Sequence, residues 1–484
     1  MSRLYYIFGL VLIAVALGVP CAKAQQQTQD QPIPAYKSPL ASQADNGTDA
    51  DTPQTLAPDT RALTGAQDLS LGVPVNAHSY WQPHLDLSTS IDSNPPDGAA
   101  NAGWSTWTSV SGGVDLHRVS GNSAITLNYV GGGVFSNDGT AGSSGIVQDL
   151  NFVDTFTFRR WAFTIIDSAA YTPELASGSS GFAGIPLPGN GGLGPGSSLD
   201  PGQGIITAEG QRLTNSTLGE ADVYLTPRSS LTFVGGYSLL HFFDQDLLDY
   251  GDMIAEAGYN YQATRRDTIG ASYLFSGFRY SNFGQSINSN TFQLSYGRRI
   301  TGRLAFRIAA GPEFATFNTP IIPGTGVGTI GPPQGGSTNN LYWSLNTSLL
   351  YQMGRTGLAA SYSHGVSGGS GVLAGSLGDF VTGSVSRQLT RTLSGNWNFG
   401  YSRNSGLAAS LVPGTTPSSQ TYDYWFTGAH LSRPWGRSLS MYLDYQLQYQ
   451  NSNSSFCVGA ACGLSYVRNL ITIGVSWRKQ PIPF

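Results

Sequence analysis

The chain reads SLSMYLDYQLQYQ from Ser438 to Gln450, and apolar and polar side chains alternate along it. From Leu439 to Tyr449, every second position carries Leu, Met or Tyr. The positions between them carry mostly Ser, Asp and Gln. In a β-strand, successive side chains point to opposite faces of the sheet. The stretch therefore predicts a strand with one continuous apolar face and one mostly polar face.

The same alternation returns in three other stretches, residues 253–262, 393–402 and 470–477. Strands in globular proteins are usually about five or six residues long. A strand that crosses a bilayer at a tilt needs about 9–11 residues. The alternating stretches therefore have the length of strands that span a membrane.

The composition agrees with an apolar environment. The chain has 484 residues, of which 11% are charged and 11% aromatic, with 62 Gly and a net charge of −4. An ordinary soluble domain has roughly 25% charged residues. A soluble enzyme would need more surface charge, and a nucleic-acid-binding protein would be basic. A helical membrane protein would show several apolar runs of about 20 residues, and the single long apolar run lies at the N-terminus.

Residues 1–24 have the layout of a secretory signal peptide. Arg3 precedes an apolar run from Tyr5 to Val19, and Ala22-Lys23-Ala24 forms an A-x-A cleavage pattern. Residues 25–78 are rich in Gln, Thr, Asp, Pro and Ala and show no sustained period, which predicts a disordered periplasmic segment.

Export places the mature chain in an oxidising compartment, where disulfides persist. Cys457 and Cys462 are separated by four residues, which is enough to close a small loop. The sequence predicts a local disulfide between them, and two free thiols are the alternative.

Short turns that contain Arg alternate with longer connections rich in Gly, Ser and Pro. The short turns lie near Arg118, Arg159, Arg228, Arg265, Arg299, Arg355, Arg391 and Arg433. The repeating unit is therefore a hairpin of turn, strand, loop and strand. A period of about 40 residues also fits a β-propeller. Propeller blades contain four short strands and a recurring signature, which the sequence does not show.

An exported sheet with one apolar face needs an apolar cover. A β-sandwich would supply a second sheet, but its outer faces should carry Lys and Glu. Here the polar faces carry mainly Ser, Thr, Asn, Gln and Gly. A membrane covers the apolar face instead, and within lipid the sheet must close on itself to pair every backbone group. The sequence predicts an all-β, transmembrane, antiparallel up-and-down β-barrel of about 18 strands, with 16 as the alternative. A barrel of this size encloses an aqueous channel.

Residues 80–478 resemble bacterial outer-membrane β-barrel proteins of the porin type. The last strand, Thr472-Ile473-Gly474-Val475-Ser476-Trp477, looks like the assembly signal of that family, and Phe484 supplies its terminal aromatic residue. Pro481 and Pro483 depart from the pattern, because proline is resisted within a strand. Either the strand ends near Arg478 and a short tail follows, or the signal is degenerate.

The resemblance implies a barrel domain at residues 79–484 in the outer membrane of a Gram-negative-type bacterium. The implied partners are outer-membrane lipid, the barrel assembly machinery and small hydrophilic solutes, without nucleic acid. A homotrimer and a monomer are both compatible with the sequence. The third long loop, residues 173–204, resembles the porin loop that folds inward, and a position over the outside is the alternative.

Strand parity predicts which charges face the lumen. The predicted pore-lining residues are Asp86, Glu220, Asp222, Glu256, Arg307, Glu313 and Asp444. Their acidic balance predicts a modest preference for cations. In the alternative interpretation, these charges only hydrate the wall or pair with neighbouring strands. Asp154 and Asp167 do not fit the scheme, because they share parity with apolar neighbours.

No catalytic, metal or cofactor site is expected. His364 lies near Ser361, Ser363 and Ser367, but its parity is lipid-facing, and a nucleophile needs a base within hydrogen-bonding reach. The sequence therefore predicts a protein that is not an enzyme. The leading functional prediction is a diffusion pore for small hydrophilic solutes. The alternatives are a non-transport surface barrel with a blocked lumen and a polymer export channel.

Overall fold

The structure is a computed structural model. It describes residues 79–93, 104–136, 145–172, 211–243, 249–281, 285–301, 303–319, 336–353, 355–368, 375–407, 421–452 and 466–484. Several sequence predictions lie outside these residues. They are the signal peptide at 1–24, the segment at 25–78, the inward third loop at 173–204, and the disulfide between Cys457 and Cys462.

Eighteen strands of 12 to 18 residues form the described part of the chain, and one two-residue strand follows them. They are β1 (Tyr80–Asp92), β2 (Ser105–Ser120), β3 (Ser123–Ser136), β4 (Gly145–Thr157), β5 (Trp161–Thr172), β6 (Arg212–Thr226), β7 (Ser229–Phe242), β8 (Tyr250–Gln262), β9 (Asp267–Tyr280), β10 (Ser286–Arg299), β11 (Leu304–Thr319), β12 (Gly336–Met353), β13 (Thr356–Ser367), β14 (Ser376–Gln388), β15 (Ser394–Gly406), β16 (Thr421–Trp435), β17 (Leu439–Ser452), β18 (Tyr466–Arg478) and β19 (Ile482–Pro483).

The strands close into one barrel. Each long strand pairs antiparallel with its neighbours along the chain. β18 then returns to β1 through nine residue pairs, which run from Asp92 opposite Leu470 to His84 opposite Arg478. The prediction of a closed up-and-down barrel of 18 strands is confirmed, and the alternatives of 16 strands and of a propeller are wrong.

The apolar parity of each strand faces outward. Leu85, Leu87 and Ile473 are more than half exposed, whereas Ser88 and Ser90 on the other parity of β1 are buried. Exposed apolar side chains around a closed sheet are the outer surface of a transmembrane β-barrel. The resemblance to outer-membrane barrels is thus confirmed at the level of the fold. Among the residues described, no helix is long and apolar enough to span a membrane.

The last long strand, β18, ends at Arg478, as the first of the two interpretations of the C-terminus predicts. Pro481 lies beyond it, and only Ile482 and Pro483 pair again, with Trp81 and Tyr80 at the start of β1. Proline donates no backbone hydrogen bond and is therefore confined to sheet edges and strand ends. The prolines limit this last pairing to two residues without disturbing β18.

A threonine organises several of the short turns. Thr264 Oγ1 accepts hydrogen bonds from the backbone N–H groups of Arg266 (3.1 Å) and Asp267 (3.0 Å), and it donates to Asp267 Oδ2 (2.5 Å). The same threonine acceptor opens three further turns, at Thr226, Thr301 and Thr390. Hydroxyl groups that bind the backbone two residues ahead stabilise tight turns. Two other turns use a glycine with positive φ, Gly121 (57°) and Gly436 (84°).

We expect Thr264→Ala to lower the free energy of unfolding by about 1 kcal/mol, because two backbone N–H groups lose their acceptor. Urea unfolding of the protein folded in lipid vesicles measures the change. Thr264→Ser keeps the hydroxyl and should match the wild type. An alanine variant as stable as the serine variant would show that the threonine does not hold the turn.

Candidate functional site

The inner wall of the barrel is the candidate site. All seven charged residues predicted to line the pore lie on the inward parity: Asp86, Glu220, Asp222, Glu256, Arg307, Glu313 and Asp444. They differ in accessibility. Four are buried, namely Glu220, Asp222, Arg307 and Glu313, and the other three are partly exposed to the interior. Their role in lining a channel stays a prediction.

Two of the accessible acids, Asp86 on β1 and Asp444 on β17, lie close together on the inner wall, with β18 between their strands. Tyr442 donates a hydrogen bond from its hydroxyl to Asp86 Oδ1 (2.8 Å). His430 Nδ1 lies 2.5 Å from Asp444 Oδ1, and the imidazole stacks on the Tyr442 ring with centroids 5.9 Å apart. We call these four residues the central acidic cluster. The cluster lies near the middle of β1, β16 and β17, so a solute that crosses the lumen would pass it.

Sequence reasoning identified the two acids and missed His430 and Tyr442. His430 is the register partner of Asp444 across β16 and β17. That pairing depends on the register of the two strands, which parity alone does not give.

A glycine makes room for the cluster. Gly474 faces inward on β18, and a Cβ added there would lie 2.1 Å from Cζ of Tyr442. The Tyr442 ring therefore lies directly over the Gly474 backbone. Gly474 is also the glycine of the predicted assembly signal. Any larger residue at this position would collide with the Tyr442 ring.

The wall of β6 to β8 is not uniformly polar. Asp222 accepts a hydrogen bond from Thr232 Oγ1 (2.5 Å) within this wall. Leu218, Val234 and Ile254 also face inward and pack together, with Ile166 and Leu274 around them. The inward parity thus includes apolar side chains, and one of them, Val234, lies directly opposite Glu220 across β6 and β7.

The mouth of the barrel on the side of the long connections contains a second, larger apolar cluster. Its buried members come from β7, β9, β10 and β11 and are Leu240, Phe242, Phe278, Tyr280, Ile287, Ala315 and Phe317. Tyr342, Val366 and Leu407 pack against it. Sequence parity predicted a polar lumen here, and that expectation is wrong for this region. Aromatic side chains fill the mouth along these strands.

The two described ends of the β13–β14 connection reach into this mouth. The Tyr280 hydroxyl donates to the carbonyl of Gly368. At the other end Gly375 has φ of +80°, and a Cβ there would lie 2.0 Å from Cδ1 of Ile287. Tyr280 and Ile287 point inward from β9 and β10, four strands away from β13 and β14. Gly368 and Gly375, the described residues on either side of 369–374, therefore lie against the inner wall of the barrel.

Glu313 holds the end of β13 at this mouth. Its Oε2 accepts from the backbone N–H of Val366 (3.1 Å), and its Oε1 accepts from Ser289 Oγ (2.5 Å). The backbone pairing between β12 and β13 ends at Leu345 opposite His364, two residues before Val366. We call Tyr280, Ile287, Glu313, Gly368 and Gly375 the mouth constriction. Glu313 serves it as a buried anchor.

The opposite side of the mouth carries a buried ion pair. Arg468 Nε lies 2.6 Å from Asp92 Oδ2, and Nη2 lies 2.5 Å from the same oxygen, with both side chains almost inaccessible. The pair joins β18 to β1 at the barrel closure. Removing one partner would leave an uncompensated buried charge, which is strongly destabilising.

His364 lies on the outward face, as parity predicts. Its ring stacks on Trp343 with centroids 3.8 Å apart, and its Nδ1 lies 2.8 Å from Asp379 Oδ1. The Ser361 side chain points to the opposite face of the sheet, and its Oγ forms a hydrogen bond with Thr382 Oγ1 (2.6 Å). The arrangement is a membrane-facing aromatic and polar cluster, in which Asp379 was not identified from the sequence. Among the described residues, no group of three or more His, Cys, Asp or Glu could hold a metal ion.

Comparison with known proteins gives likenesses of fold only. No family model matches the sequence, and no curated protein matches it. Three of the similar solved structures are from Pseudomonas aeruginosa and Acinetobacter baumannii. OccK2 (OpdF), solved with glucuronate, has 10% identity and a TM-score of 0.40, and the match covers 83% of this chain and 98% of OccK2.

OpdK of Pseudomonas aeruginosa, solved with vanillate, has 11% identity and a TM-score of 0.37, with 82% of this chain and 98% of OpdK covered. OccAB1 of Acinetobacter baumannii has 12% identity and a TM-score of 0.39, with 83% and 96% covered.

We expect Gly474→Ala to lower the free energy of unfolding by about 1–3 kcal/mol, because the new methyl group displaces the Tyr442 ring. Urea unfolding in vesicles measures the loss. In a Tyr442→Ala background the same substitution should cost at least about 1 kcal/mol less, which a double-mutant cycle detects.

Gly428→Ala on β16 is the matched control, because a Cβ there would meet its nearest atom at an ordinary 3.5 Å. Equal losses at Gly428 and Gly474 would contradict the packing role of Gly474.

Proposed function

We propose that the protein is a diffusion pore of the bacterial outer membrane for small hydrophilic solutes. The observation that carries the proposal is the accessibility of the central acidic cluster. The side chains of His430 and Asp444 are 41% and 31% exposed although they face the inside of a closed barrel. The lumen therefore has space at the middle of the wall, and hydrogen-bonding groups line that space.

The accessible charges favour cations. Among the seven predicted lumen charges, the partly exposed ones are all carboxylates: Asp86, Glu256 and Asp444. The single base of the set, Arg307, is buried. Carboxylates along a pore with low-dielectric walls raise the local concentration of cations. We propose a modest cation preference that these three residues produce.

The mouth constriction supports a limit on solute size. It places aromatic rings and a backbone segment across one side of the entrance, where Tyr280 holds Gly368. A solute that enters from this side passes these apolar side chains before it reaches the polar wall. We propose that the constriction, rather than the central wall, sets the upper size of the solute.

A non-transport surface barrel with a blocked lumen is the second candidate, and one observation favours it. Asp92, Ser376 and Ser402 face inward near the mouth and have no exposed surface at all. A mouth filled on every side would give this burial without leaving a path. Conductance separates the two candidates.

The remaining proposals rest on the sequence alone. We propose that residues 1–24 are removed on export, that residues 25–78 lie in the periplasm, and that Cys457 and Cys462 form a disulfide. Outer-membrane lipid and the barrel assembly machinery are the partners we propose for insertion.

We expect the purified full-length protein to produce stable conductance steps in planar bilayers, with a reversal potential that shows cation preference in a KCl gradient. Asp86→Asn combined with Asp444→Asn should move that potential toward zero, because the accessible negative charge falls. Asp267→Asn is the control. Asp267 lies beside a short turn on the outward face of the barrel, so its neutralisation should leave the reversal potential unchanged.

Absence of any conductance step from the wild type would contradict the pore and favour the blocked barrel. An unchanged reversal potential in the double variant would reject the assignment of Asp86 and Asp444 to the channel wall.

We expect Tyr280→Phe to raise the single-channel conductance or to add rapid flicker, because the β13–β14 connection loses its hydrogen bond at Gly368. Single-channel recording measures both. Tyr237→Phe, an exposed tyrosine on the outer surface of β7, should behave as the wild type. Identical recordings for the two variants would show that the constriction does not control passage.

A further inference from the structure

The basic residues of the chain gather at one end of the barrel. Eight turns of two to five residues lie at this end, together with the start of β1 and the end of β18. Sixteen of the 25 Lys and Arg lie in these turns or within two residues of a strand end on this side. Among the described residues, Asp267 is the one acid in such a position. We call the sixteen residues the basic rim: Arg118, Arg159, Arg160, Arg228, Arg265, Arg266, Arg298, Arg299, Arg303, Arg355, Arg387, Arg391, Arg433, Arg437, Arg478 and Lys479.

Aromatic side chains place the basic rim at the headgroups of a bilayer. Trp161, Trp435 and Trp477 face outward beside the same turns and are more than a third exposed. Exposed aromatic residues of this kind mark the membrane–water interface. The short turns of outer-membrane barrels face the periplasm, and the leaflet on that side consists of phospholipids. This placement requires the proposed outer-membrane location, and it does not require an open pore.

Two arginines of the basic rim reach the lipid-facing surface close to each other. Arg387 on β14 and Arg433 on β16 have the outward parity and are exposed. Arg387 lies opposite Gly395 on β15, and Gly395 lies opposite Leu431, which is two residues before Arg433. Neighbouring strands are about 4.8 Å apart, so the two arginines flank a surface about 10 Å wide. Among the described residues, neither guanidinium group has a hydrogen-bond or ion-pair partner.

The surface between these two arginines is apolar and shallow. Gly395 has no side chain, and a Cβ added there would lie 3.2 Å from Cδ2 of Leu431 and 3.3 Å from Cδ1 of Leu389. Both leucines are exposed. Cationic groups at headgroup level on either side of exposed leucines match a molecule with a negative head and apolar chains.

The outward arginines at the opposite end of the barrel are different, because protein acceptors already hold them. Arg279 Nη1 donates to Asn288 Oδ1 (2.9 Å), and Arg403 Nε lies 4.0 Å from Asp423 Oδ1. The guanidinium groups of the pair on β14 and β16 keep their donors for an acceptor from outside the chain. The planar fork of a guanidinium group matches the oxygens of a phosphate group.

We propose that Arg387 and Arg433, with Leu389 and Leu431 between them, bind an anionic phospholipid of the periplasmic leaflet. The two guanidinium groups donate charge-assisted hydrogen bonds to the phosphate of the headgroup. The acyl chains lie along outward apolar side chains nearer the middle of the sheet, such as Trp397. The other members of the basic rim add to the attraction, because each basic residue near a lipid surface favours anionic lipids.

Native mass spectrometry of the purified full-length protein tests the proposal by measuring lipid binding. Dioleoylphosphatidylglycerol and dioleoylphosphatidylcholine carry the same acyl chains, and their headgroups differ in net charge. We expect the phosphatidylglycerol to bind at least about tenfold more tightly than the phosphatidylcholine. Arg387→Gln combined with Arg433→Gln should weaken binding of the phosphatidylglycerol by about tenfold and leave binding of the phosphatidylcholine unchanged.

Arg279→Gln combined with Arg403→Gln is the matched control, because it removes two outward arginines from the opposite end of the barrel. It should leave both affinities unchanged. Arg387→Lys combined with Arg433→Lys keeps the charge and should retain most of the phosphatidylglycerol binding. A heat-dependent shift in gel mobility shows that each variant is folded.

Equal affinity of the wild type for the two lipids would overturn the proposal. So would an unchanged affinity for phosphatidylglycerol in the glutamine variant, or an equal loss in the control variant or in the lysine variant. None of these readouts depends on conductance, so a failure of the lipid site and a failure of the pore give different results.

Discussion

Backbone pairing at the seam between β1 and β18 is the constraint on which the rest of the barrel depends. A sheet edge in hydrocarbon would leave a row of unpaired N–H and C=O groups, each of which costs several kcal/mol. Nine residue pairs close that edge. The buried Arg468–Asp92 pair joins the same two strands at the mouth. Closure in turn assigns every residue to one of two environments, lipid or lumen, and the strict alternation of the sequence follows from that assignment.

Inside the barrel, burial rather than sign decides what each charge does. Glu313 is a buried member of the mouth constriction and accepts a hydrogen bond from the backbone N–H of Val366, so its role is structural. Asp86 and Asp444 are held by Tyr442 and His430 but keep exposed surface, so they can meet a solute. Charges of one kind thus serve two purposes, and the apolar side chains that share the inward parity determine which purpose each one serves.

The period-two pattern was sufficient to predict the barrel, its strand count and the inward parity of all seven lumen charges, because each of these depends only on residues along one strand. Contacts between strands were out of reach. The pairing of His430 with Asp444 and the placement of Tyr442 over Gly474 depend on register. The placement of Gly368 against Tyr280 and of Gly375 against Ile287 depends on residues four strands away. The inward loop predicted at residues 173–204 lies outside the described residues and stays a prediction.

Exceptions to the alternation carry information for the same reason that the rule does. An outward polar residue near a strand end, such as Asp154, is tolerated because water and headgroups are close. At middle height only protein can replace that solvation. At Asp167 the chain itself supplies that solvation, because the Thr217 hydroxyl and the Asn215 amide both donate to Asp167 Oδ1. An outward carboxylate can therefore persist at middle height where the neighbouring strand supplies the hydrogen-bond donors that acyl chains lack.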